Sequence, residues 1–289
     1  METFVHLIDI NKNQKLKSDL LDQGFTLSTP PHTHFSGKKP GISVTLFTSQ
    51  KLVVQGKNMK AFIEFYLEPE ILESFSQEPD LELNEHIGVD ESGKGDFFGP
   101  LVIAGVYADE NGAKKLLSLG VKDSKTVTDK SIHKLAQAIK KEFSFQIVIL
   151  SPKKYNELYL SFKNLNAMLA WGHATVLESL SQKTGCTSAV IDQFANEAVV
   201  INALKRKKLK LDLTQKVRGE ADPIVAAASI LARDAFVQEM DRLSEEAGLT
   251  LPKGASAQVK AAARKLIEEK GKDILPQFVK MHFKTLDTL

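Results

Sequence analysis

The stretch Ile87–Pro100, IGVDESGKGDFFGP, places two adjacent acids, Asp90 and Glu91, at the end of an apolar run. A small loop with two glycines follows the acids, and a second apolar run, LVIAGVY, begins at Leu101. Two short apolar runs separated by a glycine-containing turn predict a pair of hydrogen-bonded strands. The stretch therefore predicts two neighbouring strands of a sheet, with two carboxylates beside a backbone bare enough for a ligand to approach it.

The chain after residue 77 alternates strand-like and helix-like runs. Strand-like runs are short and apolar, whereas the helical runs repeat apolar residues at i, i+3, i+4 and i+7. This alternation predicts an α/β fold, a mixed sheet flanked by helices. Beyond the first strand pair, the predicted strands span residues 143–150 and 187–194, and the predicted helices span residues 128–141, 164–180 and 222–248.

A polar and acidic segment, residues 74–86, separates two unlike regions and predicts a domain boundary. Before it, residues 41–57 are typical of a β-hairpin around a polar turn. Residues 58–72 have helical spacing, although a strand is also compatible with their first half. We therefore expect a small α+β domain over residues 1–76 and a larger domain over residues 77–289.

Composition indicates a globular protein of the cytoplasm. With 43% hydrophobic and 26% charged residues among 289, the chain can bury a sizeable core. Its single cysteine excludes an internal disulfide and a cysteine-rich metal site. No apolar run approaches the ~20 residues that span a bilayer, and the N-terminal sequence lacks the basic and apolar segments of a secretion signal. We expect a cytoplasmic protein that does not bind membranes.

The positions of the charged residues along the chain are more informative than the net charge. A net charge of +2 does not predict a nucleic-acid-binding protein by itself, but five lysines and no acid lie between Gln23 and Ile63. A second basic run lies within residues 205–210. Either run is compatible with an ordinary solvated face, and the first is also compatible with a small sheet that has one basic face. The lysines of the first run are Lys38, Lys39, Lys51, Lys57 and Lys60.

Other acids also stand where predicted elements end or begin. Asp192 ends the strand SAVID, and because ligands of α/β sheets gather where strand ends meet, we expect it near Asp90 although 102 positions separate the two. Glu91 can join Asp90 only if the strand pleat breaks, since neighbours on a regular strand point to opposite faces. The adjoining loop favours such a break. Glu220 and Asp222 precede the last predicted helix, and Asp222 stands at its N-cap position, so Glu220 is the preferred fourth acid.

Carboxylates gathered without histidine or cysteine suit the hard cations Mg²⁺ and Mn²⁺ rather than zinc. Four acids in one pocket repel one another unless cations or raised pKa values offset their charges. Two such ions about 3.5–4 Å apart can activate a water and neutralise a phosphodiester. The acids therefore predict a two-ion hydrolytic site, although an aspartate at a strand end often serves only to cap a helix or a turn.

Other glycine-loop chemistries do not fit this stretch. The sequence contains no G-x-x-x-x-G-K-[ST] string, which excludes a P-loop. The glycines of a dinucleotide-binding loop open a helix, whereas here they are one residue out of register and a strand follows. An EF-hand loop starting at Asp90 would place Lys94 at a ligand position and Leu101 where the bidentate glutamate belongs.

The stretch DESGKGDFFGPLVIAG, residues 90–105, resembles the signature of type 2 ribonucleases H, and its Gly-Lys-Gly resembles the ribonuclease HIII branch. The hairpin ISVTLFTSQKLVVQGK, residues 42–57, is similar to the TATA-binding-protein-like domain of that branch. Nearly the whole chain is covered by the resemblance. The other matching motifs are VKDSK (121–125), VIDQF (190–194), IVAAASILAR (224–233), LPKGAS (251–256) and KMHFKT (280–285).

The resemblance implies a ribonuclease H-like mixed sheet flanked by helices, plus a small α+β N-terminal domain. It implies an endonuclease that cleaves the RNA strand of RNA–DNA hybrids with two Mg²⁺ or Mn²⁺ ions and leaves 5′-phosphate and 3′-hydroxyl ends. Asp90, Glu91 and Asp192 match the metal ligands. Glu220 matches the fourth acid only with a one-residue gap, so Asp222 remains an alternative. A monomer without an obligate protein partner is expected.

The resemblance also implies which residues contact the hybrid. It assigns the Gly-Lys-Gly loop to the ribose 2′-hydroxyls, the groups that distinguish RNA from DNA. A glycine-bearing loop can bring its own amides and carbonyls to such a group, and lysines would add salt-sensitive affinity for phosphates. The predicted substrate-binding residues are Ser92, Gly93, Lys94, Gly95, Ser124, Lys125, Lys38, Lys39, Lys51 and Lys57.

Two other functions remain open from the sequence. One is an enzyme similar to ribonuclease HII that also incises at single embedded ribonucleotides. The other is a non-catalytic nucleic-acid-binding protein that uses the same basic surfaces. The gathered acids argue against the second, because unpaired carboxylates beside a phosphate repel it unless a metal ion intervenes.

Overall fold

The computed structural model describes residues 3–72, 83–121, 129–192, 194–195, 197–216 and 219–289. The chain divides into two compact units, Met1–Leu81 and Glu82–Leu289. The boundary that we expect between residues 76 and 77 lies outside the described residues.

The first unit is an antiparallel sheet covered by helices on one face. Its strands are β1 (Thr3–Leu7), β2 (Thr26–Ser28), β3 (Thr33–Lys39), β4 (Ile42–Phe47) and β5 (Lys51–Gln55). They lie in the order β1-β5-β4-β3-β2. Its helical segments are α1 (Asn13–Asp22), α2 (Met59–Phe62) and a π-helical continuation, Ile63–Leu72.

The predicted hairpin and helix of this unit are both present. β4 pairs with β5 antiparallel, with Val44 opposite Val54, and both side chains are buried beneath the helices. The strand that could have begun residues 58–72 is absent, because the backbone from Met59 onward is helical. The unit is therefore α+β, as expected.

The second unit is built on a mixed sheet. Its strands are β6 (His86–Ser92), β7 (Leu101–Ala108), β8 (Ser144–Leu150), β9 (Ser188–Asp192) and β10 (Asp212–Lys216). The order is β10-β9-β6-β7-β8. The pairs β6–β7 and β7–β8 are antiparallel, whereas β6–β9 and β9–β10 are parallel. The mixed sheet that the alternating pattern predicts is thus confirmed.

Helices cover both faces of this sheet. Caps define the longest of them: Asp222 accepts from the amides of Ile224 and Val225 at its start, and Gly248 adopts a left-handed backbone with φ of 75° at its end. Among the described residues, none of the helices combines the length and apolar character that a bilayer crossing requires. The helices are α3 (Glu110–Ser118), α4 (Asp129–Glu142), α5 (Pro152–Phe162), α6 (Leu165–Thr184), α7 (Glu197–Arg206), α8 (Pro223–Ala247) and α9 (Ala257–Lys270).

Strand alternation assigns the residues of β6 to the two faces. Ile87 and Val89 pack in the core beneath α6, whereas Gly88 faces α8. A Cβ atom on Gly88 would lie 2.5 Å from the amide nitrogen of Val225, so glycine is required for α8 to approach the strand this closely. This close packing brings the first turns of α8 beside the end of β6.

Candidate active site

Asp90 and Asp192 are brought together by the parallel pairing of β6 and β9. Val89 is paired with Ile191, and each acid follows its strand's paired residue by one position. Burial is the main cause that raises the pKa of Asp90 to about 7, and the charges of Glu91 and Asp192 act in the same direction. The two strand ends therefore form an acidic edge of the sheet, as the sequence leads us to expect.

Hydrogen bonds hold both aspartates in place. One oxygen of Asp90 accepts from the amide of Glu91 at 2.8 Å, and the hydroxyl of Ser229 on α8 also bonds to this carboxyl group. Asp192 accepts from the amide of Gly219 at 2.9 Å. The two donors to Asp90 stabilise its charged form, so they oppose part of the increase in its pKa that burial produces.

The side chain of Glu91 leaves β6 on the side of α6, yet its charge adds to the burial that raises the pKa of Asp90, so the two carboxyl groups remain close together at the strand end. The pairing of β6 with β7 continues without a register shift through Asp90, Glu91 and Ser92. The carboxylate of Glu91 accepts from Nε2 of His173 on α6 at 3.0 Å, whereas Asp90 bonds to Ser229 on α8. The expected break in the pleat is therefore wrong, because the strand remains paired one residue beyond Glu91 and alternation holds until the loop begins.

Two cationic or proton-donating groups surround Glu91. Burial alone would raise its pKa, but hydrogen bonds and charges from His173 and Lys94 hold that pKa below its ordinary value. The Nζ atom of Lys94 lies 3.4 Å from the carboxylate and 5.5 Å from the ring centre of Phe194. The fully buried ring of His173 packs against the same phenyl ring. Glu91 is thus held as a carboxylate.

Asp222 is a capping residue rather than a free ligand. It is only 4% exposed, and its Oδ1 atom accepts from Nε2 of His86 and from the amides of Ile224 and Val225 at 3.0–3.3 Å. Its Oδ2 atom lies 3.4 Å from Nζ of Lys216. Both oxygens are engaged, which confirms the N-cap interpretation.

Glu220, the preferred fourth acid, lies in a 3-10 turn, Gly219–Ala221, just before α8. The amide of Gly219 in this turn bonds to Asp192, so the backbone of Glu220 is next to the acidic edge. Its side chain lies outside what the structure describes.

The Gly-Lys-Gly loop leaves β6 directly beside the acids. Gly93 has φ of 88°, and a Cβ atom there would lie 2.2 Å from the carbonyl oxygen of Pro100, so any other residue would displace the loop. Gly95 is exposed, with no heavy atom within 4 Å of where its Cβ would be. The loop thus offers an open backbone next to Ser92 and Lys94. Ser124 and Lys125 lie outside the described residues.

The lysines of the first unit do not share one face. By strand register, Lys38 and Lys51 lie on the face of the sheet that no helix covers, a face that they share with exposed Val5. Lys39 points the other way, and its Nζ atom lies 4.4 Å above the ring of Phe25. The expected single basic face is therefore wrong for Lys39, because adjacent Lys38 and Lys39 must alternate. Lys57 lies in the turn after β5.

The donor set fits a divalent cation. Among the described residues, no three histidine, cysteine or acidic side chains are already arranged as a metal centre. Asp90 and Glu91 at the end of β6 and Asp192 at the end of β9 nevertheless supply carboxylate oxygens, and a bound cation would relieve the repulsion that adds to burial in raising the pKa of Asp90.

Sequence reasoning missed two groups of this site. His173 lies in an apolar helical run that is typical of core, and Ser229 lies in an alanine-rich one. They meet Glu91 and Asp90 only through the packing of α6 and α8 on opposite faces of the sheet. The segment from Asp96 to Gly99, which Lys280 contacts, is a third feature that the sequence did not reveal.

Comparison with family models assigns most of the chain. A model described as ribonuclease HII matches residues 87–286, and a model described as a domain of unknown function matches residues 3–79. A ribonuclease HIII of Protochlamydia amoebophila (strain UWE25) is 53% identical over 289 residues, 99% of this chain and 96% of that protein. A ribonuclease HIII of Chlamydia felis (strain Fe/C-56) is 49% identical and covers 95% of this chain and 93% of that protein.

Solved structures agree with these matches. The crystal structure of Bst-RNase HIII in complex with Mn²⁺ has a TM-score of 0.70 and 29% identity, and the match covers 99% of this chain and 97% of that one. The ribonuclease HII of Archaeoglobus fulgidus, solved with PCNA, has a TM-score of 0.57 and 28% identity. That match covers 71% of this chain and 100% of the other.

Proposed function

This chain belongs to the ribonuclease HIII family, and from that premise we propose how its own residues cleave the substrate. It is a metal-dependent ribonuclease H, an endonuclease that hydrolyses the RNA strand of RNA–DNA hybrids. The ribonuclease HIII relatives match nearly the whole chain, whereas the ribonuclease HII structure matches 71% of it. An enzyme of the ribonuclease HII type, or a binding protein without catalysis, is therefore not favoured.

The pairing of Asp90 with Asp192 across two parallel strands is the observation that carries the proposed mechanism. Both acids lie at the same level of the sheet, and burial raises the pKa of Asp90, with the charges of Glu91 and Asp192 adding to the increase. We infer that these two residues and Glu91 hold two Mg²⁺ or Mn²⁺ ions, with Glu220 as the fourth acid. Such ions supply charge neutralisation at the scissile phosphate and a lowered pKa for the attacking water.

The protein's own groups prepare this site for the reaction. His173 and Lys94 keep Glu91 ionised and oriented, each through one oxygen of its carboxylate. Ser229 and the amide of Glu91 orient Asp90. Water attacks the scissile phosphorus, the bond from phosphorus to the 3′-oxygen breaks, and the 3′-oxygen leaves and takes a proton, which yields 5′-phosphate and 3′-hydroxyl ends.

The open loop would select the strand that is cut. We propose that the backbone of Gly93–Gly95 contacts ribose 2′-hydroxyls in the shallow minor groove of the hybrid. Phosphates on either side would be bound by Ser92, Lys94, Ser124 and Lys125. Because the loop leaves β6 immediately after the acids, sugar recognition and cleavage would occur at neighbouring nucleotides.

The N-terminal domain, residues 1–76, would bind the hybrid and residues 77–289 would cut it. Lys38 and Lys51 project from an uncovered sheet face, which supports a phosphate-binding surface there. Such contacts carry no sequence information and weaken with added salt. We propose a monomer that acts in the cytoplasm without an obligate protein partner or a membrane.

The substitution Asp90→Asn tests the mechanism. It should abolish hydrolysis of an RNA–DNA hybrid in Mg²⁺ or Mn²⁺ while hybrid binding in EDTA stays within about threefold of the wild type. Asp212→Asn is the matched control. Asp212 is exposed and lies at the end of β10 that is away from the acidic edge, so this variant should cleave the hybrid normally. Full cleavage by Asp90→Asn would refute the proposed role of this acid.

A further inference from the structure

Lys280 is a buried lysine whose partners are backbone carbonyls. Its side chain is 0% exposed, and Nζ donates to the carbonyl oxygens of Asp96 and Gly99, each at 2.8 Å, and of Phe98 at 3.4 Å. Within the described part of the chain, no carboxylate forms an ion pair with it. The three carbonyls belong to the segment that connects the Gly-Lys-Gly loop to β7.

The backbone around Lys280 joins the same segment. The amide of Lys280 donates to the carbonyl oxygen of Phe97 at 2.9 Å, and the amide of Gly99 donates to that of Phe278 at 3.0 Å. Phe98 and Val279 form an antiparallel bridge. Residues 278–281, here called the C-terminal tail, and the segment Asp96–Gly99 are thus joined by hydrogen bonds. The Nζ atom of Lys280 lies between them.

Helix α5 fixes the tail from the other side. Asn156 accepts from the amide of Met281 at 2.9 Å and donates to the carbonyl oxygen of Val279 at 2.8 Å. The Nζ atom of Lys280 also lies 5.6 Å from the ring centre of Tyr155. Lys280 is therefore flanked by residues that are hydrogen-bonded to α5, while its amine is bonded to the segment Asp96–Gly99.

Burying the charged amine of Lys280 is energetically unfavourable, so we asked what the amine contributes in return. Burial lowers the pKa of Lys280 to about 7, which shows how unfavourable its charge is here. An apolar side chain of similar length would avoid this cost but would leave three carbonyls without a donor. The benefit of the amine lies in the conformation of the segment Asp96–Gly99.

We propose that Lys280 is a positioning residue for substrate recognition, which holds the loop Gly93–Gly95 in the conformation that meets the ribose 2′-hydroxyl. Gly95 is exposed and has no heavy atom within 4 Å of where its Cβ would be, so we take the position of the loop to depend on its two ends. One end is strand β6, and the other is the segment that Lys280 binds. Asp96 links the two, because its amide donates to the carbonyl oxygen of Gly93 at 3.3 Å. This inference rests on the proposed role of the loop.

The substitution Lys280→Met is the direct test, because methionine fills similar space without a donor. Its matched control is Lys270→Met, since Lys270 also donates to one main-chain carbonyl, that of Glu246, but from an exposed helix end. Steady-state cleavage of an RNA–DNA hybrid should show KM raised about tenfold in Lys280→Met, with kcat changed less than about threefold. The control should match the wild type in both constants.

Hydrogen–deuterium exchange provides a readout that does not depend on activity. Peptides that span residues 93–99 should exchange faster in Lys280→Met, whereas peptides from β8 and β9 should not change. A variant with a lower melting temperature but with unchanged KM and unchanged exchange in the loop would overturn the proposal, because Lys280 would then be only structural. Faster exchange with an unchanged KM would refute the link to substrate.

A second variant decides the matter if Lys280→Met does not fold. Asn156→Ala removes the support of the tail but leaves the buried amine, and it should raise KM in the same direction by about threefold. An unchanged KM there would also overturn the proposal. Failure of the proposed function is distinguishable, since it would appear as cleavage by Asp90→Asn, whatever Lys280 does.

Discussion

Replacing Asp90 by asparagine should stabilise the metal-free protein at high pH and not at low pH. The folded pKa of Asp90 is raised from its ordinary value of 3.8 to about 7. Between these two values the unfolded chain has lost the proton while the folded chain keeps it, so stability falls as the pH rises through this window and is constant above it. At about 1.4 kcal/mol for each tenfold change, the full cost is about 4 kcal/mol.

Asparagine removes this cost because it never ionises, yet its carbonyl oxygen can still accept the hydrogen bonds that Asp90 receives. Urea unfolding in EDTA should therefore show Asp90→Asn more stable than the wild type at about pH 8, by up to about 4 kcal/mol, with the gain nearly absent at about pH 4. Asp212→Asn is the control for a general effect of removing a negative charge, because Asp212 is exposed on β10.

Metal ions should make the wild type more stable than Asp90→Asn at high pH, the reverse of the order expected in EDTA. Because a cation offsets the repulsion among the acids, added Mg²⁺ or Mn²⁺ should stabilise the wild type at about pH 8 and stabilise Asp90→Asn much less. The reasoning is refuted by a variant that is less stable than the wild type at high pH, or by a gain that is the same at both pH values. Equal stabilisation by metal would separately refute Asp90 as a ligand.

Three further outcomes test other parts of the site. His173→Phe removes a hydrogen bond that lowers the pKa of Glu91, so the acidic limb of the pH profile of kcat/KM should move to higher pH; an unmoved limb would contradict this. Asp222→Ala should lower the free energy of unfolding in urea by about 2 kcal/mol or more, because it removes the cap of α8 and leaves buried donors unpaired. The kcat of the folded variant should stay within about threefold of the wild type, and a loss of kcat would instead make Asp222 a metal ligand. The double variant Lys38→Ala/Lys51→Ala should lower the slope of log binding constant against log salt by about 2, as measured by hybrid titration at several salt concentrations, and an unchanged slope would remove both lysines from the interface.

Local patterns were sufficient for the elements that hold the site. Apolar runs on either side of a glycine turn predict β6 and β7, and the Asp222–Pro223 start and Gly248 end predict α8 within a residue. The strand ends also predict that Asp90 and Asp192 lie side by side, because parallel strands bring their carboxyl ends to one edge. These features depend on residues close in sequence and on the period of each element.

The remaining features depend on contacts between distant residues. His173 reaches Glu91 across 82 positions, and Lys280 reaches the carbonyl oxygen of Asp96 across 184. A histidine in an apolar helix is typical of core, and a lysine near the C-terminus is typical of the surface, so neither residue type signals its partner. Only the packing of α5 and α6 against the sheet and the tail places these side chains at the site.

The sequence by itself determined that this protein has an α/β unit with acids at a strand end beside a bare glycine loop, because period and turn chemistry are local properties. The tertiary structure decided the face on which each acid lies. Unbroken pairing of β6 through Ser92 directs Asp90 to α8 and Glu91 to α6, so the two adjacent carboxylates have different partners and opposite pKa shifts. The physical reason is that the pleat alternates wherever the neighbouring strand continues, and the length of that pairing is set by β7 rather than by the local sequence of β6.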